Sequence, residues 1–211
     1  MSTLASRKIK SDTHQPTRRR VTTALAGGIG LAATSALGWP GAGARAQGND
    51  ASRKRHQALM QPTELKDMAV GDANAPITII EYASMTCPHC ASFHTTTYPQ
   101  LKKKYLDTGK ARLIFRDYPL GNLAVAAAML ARCADEAIYF PFIEALFRQQ
   151  STWATQNPVA PLKKLAKQVG ITDEGFDKCL SNQVILDGIR EVATRANKQF
   201  GVDSTPTFFI N

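Results

Sequence analysis

Two cysteines separated by two residues are the side chains in this sequence most suited to chemistry. The sequence reads Thr86-Cys87-Pro88-His89-Cys90. Cysteines three positions apart in a helix lie about one turn from each other, so a disulfide between them needs little backbone movement. Thiolates attack disulfides and leave from them, so this spacing predicts a redox pair.

The residues around the motif place it at the start of a helix. Residues 77–82 are β-branched and almost continuously apolar, which predicts a central strand buried on both faces. Proline is favoured at the first helical position, so Pro88 predicts Cys87 at the N-cap. Free N–H groups and the helix dipole would stabilise a thiolate there, and His89 would add a hydrogen bond or positive charge. Cys90 is then the resolving thiol.

Three alternatives remain open for the motif. A purely structural disulfide leaves the strand-to-helix placement unexplained. Zinc could be bound by both cysteines with His89 or His94, but no second pair has the spacing of metal ligands. Covalently attached haem requires histidine directly after the second cysteine, where this sequence has Ala91. The residues favour a redox pair without metal or cofactor.

The rest of the chain predicts an α/β framework interrupted by helices. A helix runs from the motif to about Leu106 with a kink at Pro99, and a second strand covers residues 112–118. Strand, helix and strand in this order build a parallel sheet. Residues 123–197 have wholly helical periodicity, and a short β-rich run, residues 205–211, follows.

This combination resembles the DsbA-like branch of the thioredoxin fold. The resemblance rests on the Cys87–Cys90 motif after an apolar strand, the inserted helical block and the late Thr205-Pro206 run. The Pro-His dipeptide between the cysteines is typical of that branch. The resemblance implies a thioredoxin-like fold with an inserted helical domain, divided into residues 68–122, 123–197 and 198–211.

The resemblance also implies roles for residues outside the motif. Thr205–Pro206 would be a cis peptide bond facing the cysteines, with a backbone that pairs with an extended substrate. Glu81 matches a buried acid that modulates proton transfer during thiol exchange. The alternative for Glu81 is a strand carboxylate that reaches solvent or pairs with Lys or Arg. His94 is expected at the surface, without a role.

Cys133 and Cys179 lie on the apolar stripes of two predicted helices. The resemblance implies a structural disulfide between them, since some family members carry one in the helical domain. Closing a loop of this length would stabilise the fold by about 4 kcal/mol in the chain-entropy model. Two buried free thiols are the alternative.

Residues 1–46 have the composition of an export signal. A basic stretch ends in Arg18-Arg19-Arg20, a mildly apolar run follows, and the small residues at 44–46 fit cleavage before Gln47. Paired arginines ahead of a weak apolar run resemble a twin-arginine signal, with an ordinary secretory signal or a basic tail as alternatives. These features predict a periplasmic protein. Residues 47–67 are predicted to be a flexible lead-in, too short and polar for a dimerisation module, so a monomer is expected.

The charge of the chain belongs mainly to this signal. The net charge is +9, but seven of the 26 basic and one of the 17 acidic residues lie in residues 1–46. The remaining 19 basic and 16 acidic residues carry a net charge of +3. Nucleic-acid binding is therefore not predicted.

The predicted function is a thiol–disulfide oxidoreductase that introduces disulfide bonds into newly exported proteins. The resemblance implies re-oxidation by a membrane quinone-linked partner. A reductase or isomerase on the same fold is an alternative, and a module that binds thiols or metal without turnover is a more distant one. The family continues past the last predicted strand with another strand and a helix, whereas this sequence ends at Asn211. A fragment or a shortened sheet with an exposed edge is therefore expected.

Overall fold

The computed structural model describes residues 41–211, in which a four-stranded mixed sheet is surrounded by helices. The strands are β1 (Met68–Gly71), β2 (Ile77–Ala83), β3 (Ala111–Asp117) and β4 (Thr207–Ile210). Their spatial order is β1-β3-β2-β4. The central strands β2 and β3 are parallel, and β1 and β4 flank them in antiparallel orientation. The α/β class and the thioredoxin-like arrangement with inserted helices are confirmed.

The two central strands are buried because helices cover both faces of the sheet. In β2 every residue after Ile77 is buried, and in β3 only Arg112 is not fully buried. Their register pairs Ile79 with Leu113 and Glu81 with Phe115. A carboxylate therefore lies in the middle of an otherwise apolar strand, which is a costly position unless a partner satisfies it.

The helix after the cysteine motif is divided into short segments. These are α2 (Pro88–Ser92), a π-helical turn (Phe93–Thr97), α3 (Tyr98–Leu101) and a second π-helical turn (Lys102–Leu106). Pro99 has no N–H to donate, so the regular hydrogen-bond ladder cannot continue through it. The Thr95 and Thr96 side chains donate to carbonyl oxygens one turn earlier, at 2.7 Å each. The expected irregularity around Pro99 is therefore spread over two widened turns.

Helices alone connect β3 to β4. They are α4 (Asn122–Cys133), α5 (Glu136–Arg148), α6 (Gln150–Trp153), α7 (Val159–Gln168), α8 (Asp173–Leu180) and α9 (Gln183–Phe200). Cys133 at the end of α4 and Cys179 in α8 form a disulfide with Cα atoms 6.0 Å apart. Phe142, Phe147 and Trp153 pack this helical block against one sheet face, and Val192 and Phe200 of α9 cover the other.

The region before the sheet differs from the flexible lead-in expected over residues 47–67. Helix α1 (Gly41–Leu59) occupies most of it. Leu59 is buried in the same cluster as Phe200, and the Arg55 guanidinium donates to the Phe200 carbonyl oxygen at 2.9 Å. Arg195 also donates to the Ala58 carbonyl oxygen, so this polar segment is docked by tertiary contacts that composition alone did not reveal.

The predicted export signal lies outside the described residues, apart from its last six positions at the start of α1. No helix within residues 41–211 is both long and apolar enough to cross a membrane. Among these residues β4 pairs only with β2, and Ile210 is exposed.

Candidate active site

Cys87 stands where β2 turns into α2. It is the N-cap of α2, with extended backbone angles (φ −78°, ψ 121°), and Pro88 follows at the first helical position. The Cys87 N–H donates to the Ser84 carbonyl oxygen, and the Ala91 N–H donates to the Cys87 carbonyl oxygen, both at 3.1 Å. We call residues 84–87 the catalytic turn. It places Cys87 at the N-terminal end of α2.

The two cysteines differ in their access to solvent. Cys87 is 5% exposed and Cys90 is fully buried, while Pro88 and His89 between them are exposed. Both thiols are free in the structure. A reaction partner can therefore approach the Cys87 side of the pair over Pro88 and His89, while Cys90 faces the core.

The late proline lies opposite the cysteines. The Thr205–Pro206 peptide bond is cis. The Cys87 thiol donates to the Thr205 carbonyl oxygen at 3.2 Å, although the two residues are 118 positions apart. The Thr205 hydroxyl is buried and has no partner of its own among the described residues, so it is available to a thiolate beside it.

The pKa values of the two thiols move in opposite directions. Burial raises the pKa of Cys87, but hydrogen bonds from the Thr205 side chain and from the backbone at Cys90 and His89 outweigh it, so the value is lowered from the ordinary 9.0. Burial raises the pKa of Cys90 to about 12. Cys87 is therefore the thiol that loses its proton more readily, and Cys90 stays protonated at neutral pH.

A buried ionisable pair lies close to this site. Glu81 is fully buried on β2, and the His94 Nε2 atom lies 3.1 Å from each of its carboxylate oxygens. The His94 ring stacks on Phe147 at a centroid distance of 4.3 Å. The partner of Glu81 is thus a histidine, rather than solvent or the Lys or Arg considered as alternatives.

The expectation that His94 lies at the surface was wrong, because the residue is 4% exposed. Positions four apart on a helix share a face, so a histidine four residues after the buried Cys90 also faces the core. That spacing was the signal available in the sequence. Within residues 41–211, no group of three or more His, Cys, Asp or Glu side chains is arranged to hold a metal ion.

The sheet, the cysteine pair at a strand-to-helix junction and the cis proline opposite it define the thioredoxin class of proteins. The chain belongs to the thioredoxin family, since a family model with the description Thioredoxin matches residues 63–211. A Rickettsia bellii protein that carries the name protein-disulfide oxidoreductase is 36% identical over 150 residues, which cover 69% of this chain and 57% of the relative. The chain thus spans little more than half of that relative.

Solved structures point to the same branch. The crystal structure of Wolbachia pipientis alpha-DsbA1 shares 36% sequence identity and a TM-score of 0.68, over 72% of this chain and 78% of that one. BdbD from Bacillus subtilis, at 23% identity and a TM-score of 0.62, shares the fold over 69% and 81%. The resemblance to DsbA-like thiol–disulfide oxidoreductases, a family of enzymes, is confirmed.

The opposed pKa shifts predict how the stability of the reduced protein depends on pH. The lowered pKa of Cys87 contributes stability that is complete above the unfolded value of 9.0 and is lost as pH falls through the folded pKa. The raised pKa of Cys90 contributes stability that is present below 9.0 and is lost as pH rises towards about 12.

We therefore expect the free energy of unfolding of the reduced protein to rise with pH up to about 9.0 and then fall, relative to a Cys87→Ser/Cys90→Ser variant. Urea unfolding of both proteins across this pH range measures the difference. If the difference in the free energy of unfolding between the two proteins does not change with pH, the opposed pKa shifts of Cys87 and Cys90 are contradicted.

Proposed function

We propose that the protein is a thiol–disulfide oxidoreductase that introduces disulfide bonds into exported proteins. The observation that carries the proposal is the asymmetry of the pair: the pKa of Cys87 is lowered, and that of Cys90 is raised to about 12. A stable thiolate on Cys87 stabilises the reduced form of the enzyme. The corresponding disulfide is then readily reduced and is a good oxidant of other thiols.

The reaction proceeds by two exchanges. A substrate thiolate attacks the Cys87 sulfur, the bond between Cys87 and Cys90 breaks, and Cys90 leaves and takes up a proton. A second substrate thiolate then attacks the substrate sulfur of the mixed disulfide and releases Cys87 as a thiolate. The substrate has lost two electrons and now holds the disulfide, and both enzyme cysteines are reduced.

We assign substrate positioning to Thr205 and Pro206. The Thr205 carbonyl oxygen lies 3.2 Å from the Cys87 sulfur, so this backbone borders the atom that the substrate attacks. Pro206 carries no N–H and immediately precedes β4. An extended substrate segment that pairs with the backbone here would present its cysteine to Cys87. Pro88 and His89 border the same sulfur from the helix side and are solvent-exposed.

We assign proton transfer to Glu81, held by His94. Cys90 must take up a proton when it leaves, and its surroundings are apolar. Glu81 and His94 are a buried carboxyl group and a buried imidazole, and the His94 Nε2 atom lies 3.1 Å from the carboxylate. Because His94 follows Cys90 by one helical turn, the pair lies on the Cys90 side of the site.

The test of this assignment is the Glu81→Gln variant, which keeps the shape and removes the ionisable group. General acid–base catalysis contributes at least about a hundredfold, so we expect a marked slowing when a dithiol peptide reduces the enzyme disulfide at neutral pH. The rate of alkylation of Cys87 in the reduced enzyme should stay close to wild type. Equal reduction rates in the two proteins would remove Glu81 from the mechanism.

The redox equilibrium with glutathione distinguishes an oxidase from a reductase. Thioredoxins have potentials of about −270 mV, whereas strongly oxidising members of the fold have potentials of about −120 mV. We expect the Cys87–Cys90 pair to stay reduced until the buffer is far more oxidising than thioredoxin requires. The measurement is the mass of the alkylated full chain after equilibration. If the Cys87–Cys90 pair is oxidised at a glutathione redox potential close to that of thioredoxin, the protein is a reductase.

Trapping of mixed disulfides distinguishes the proposed oxidoreductase from a module that binds thiols without turnover. In the Cys90→Ala variant the Cys87 thiolate attacks an activated disulfide placed on an unfolded test protein and displaces the activating thiol. Cys87 then stays joined to the test protein, because the variant has no Cys90 to resolve the mixed disulfide. We expect these covalent adducts to accumulate and to be seen on non-reducing gels. The Cys87→Ala variant is the matched control and should trap none. Equal adduct levels in both variants would contradict a reactive Cys87.

We propose the periplasm as the location, reached through the signal in residues 1–46. The twin-arginine-like stretch Arg18-Arg19-Arg20 supports this. The disulfide between Cys133 and Cys179 fits an oxidising compartment. In that setting the enzyme would act as a monomer on newly exported protein thiols. A membrane quinone-linked partner would re-oxidise it, by analogy with the family.

A further inference from the structure

Gln150, the first residue of α6, reaches from the helical insertion into the catalytic turn. Its side-chain Nε2 donates to the Met85 carbonyl oxygen at 2.8 Å and to the Cys87 carbonyl oxygen at 3.0 Å. A primary amide has two N–H donors, so both are used here. One side chain therefore holds two carbonyl groups on either side of Thr86.

The catalytic turn has few other means of fixing these groups. Among the described residues, the Met85 carbonyl oxygen has no partner besides Gln150, and the Cys87 carbonyl oxygen has only the Ala91 N–H in addition. Pro88 cannot contribute an N–H to close the turn. One of the two hydrogen bonds that the Cys87 carbonyl oxygen accepts therefore comes from a residue 63 positions away in the sequence.

Gln150 is itself held in place. At the other end of α6, Trp153 is fully buried, and its indole N–H donates to the Leu146 carbonyl oxygen of α5 at 2.7 Å. The Ala154 N–H closes the helix on the Gln150 carbonyl oxygen at 2.8 Å. A short helix anchored in this way presents the amide in a fixed orientation, as a positioning group requires.

We propose that Gln150 is a positioning residue that fixes the catalytic turn against the helical insertion and so keeps the Cys87 sulfur at the N-terminus of α2, within reach of the Thr205 carbonyl oxygen. The geometry stands by itself, and its meaning for turnover rests on the proposed function. Preorganised donors stabilise a charge most when their supports cannot relax. Loss of the amide frees the turn and leaves the Met85 carbonyl unpaired.

The experiment uses the full chain with substitutions at two neighbouring glutamines. Gln150→Leu removes both donors at similar volume, and Gln150→Glu turns a carboxylate oxygen towards two carbonyl oxygens. Gln149→Leu and Gln149→Glu are the matched controls, because Gln149 makes hydrogen bonds only through its backbone in the described residues. The readout is the pH profile of Cys87 alkylation by iodoacetamide in the reduced protein, with ultraviolet thiolate absorbance as a second measure.

We expect Gln150→Leu to shift the profile to higher pH, with alkylation roughly fivefold slower on its acidic limb, as the loss of one or two hydrogen bonds implies. Gln150→Glu should shift it further, and both Gln149 variants should match wild type. Circular dichroism establishes that each variant is folded. If Gln150→Leu does not fold, the comparison of Gln150→Glu with Gln149→Glu decides.

An unchanged profile in a folded Gln150 variant overturns the inference. An equal shift in Gln149→Glu and Gln150→Glu also overturns it, because nearby charge would then be sufficient. The proposed function is tested separately, by the glutathione equilibrium of the wild-type protein. A reductase-like equilibrium with a Gln150-dependent profile would contradict the oxidase and retain the positioning role.

Discussion

The hydrogen bond between the Cys87 thiol and the Thr205 carbonyl oxygen is the contact on which the site depends. It forms only if the β2–α2 junction and the turn before β4 are both in place. Each comes from a different part of the chain, and the sheet brings them together because β4 pairs with β2. The helical block between β3 and β4 must therefore return the chain to β2, the strand that leads into the cysteine motif.

Burial has opposite consequences for the two cysteines. At Cys87 it is offset by hydrogen-bond donors, whereas at Cys90 it dominates and raises the pKa to about 12. The same core also contains Glu81 and His94, which would be costly there as isolated charges. The His94 Nε2 atom pairs with the Glu81 carboxylate, and aromatic rings surround the histidine. One ionisable pair of this core therefore lies on the side of the thiol that must exchange a proton.

The central strands, the helical block and the cysteine motif were predictable because their signals are local. Continuous apolar runs mark β2 and β3, and spacing marks the motif. β1 was missed because four residues that alternate in burial carry too little pattern. The docking of α1 includes a hydrogen bond from Arg55 to a carbonyl group that is distant in the sequence. Gln150 likewise donates to carbonyl groups more than 60 residues earlier in the sequence. Such partners are set by the tertiary structure, so no local sequence pattern predicts them.

The distance along the chain between Cys87 and Thr205 has a consequence for the newly made protein. A growing chain contains both cysteines long before residue 205 has been added. Until then the hydrogen bond from Thr205, which lowers the pKa of Cys87 more than any other contact, cannot form. Cys87 thus acquires its full reactivity only when the end of the fold is in place, which limits the chemistry that the immature chain can carry out on itself.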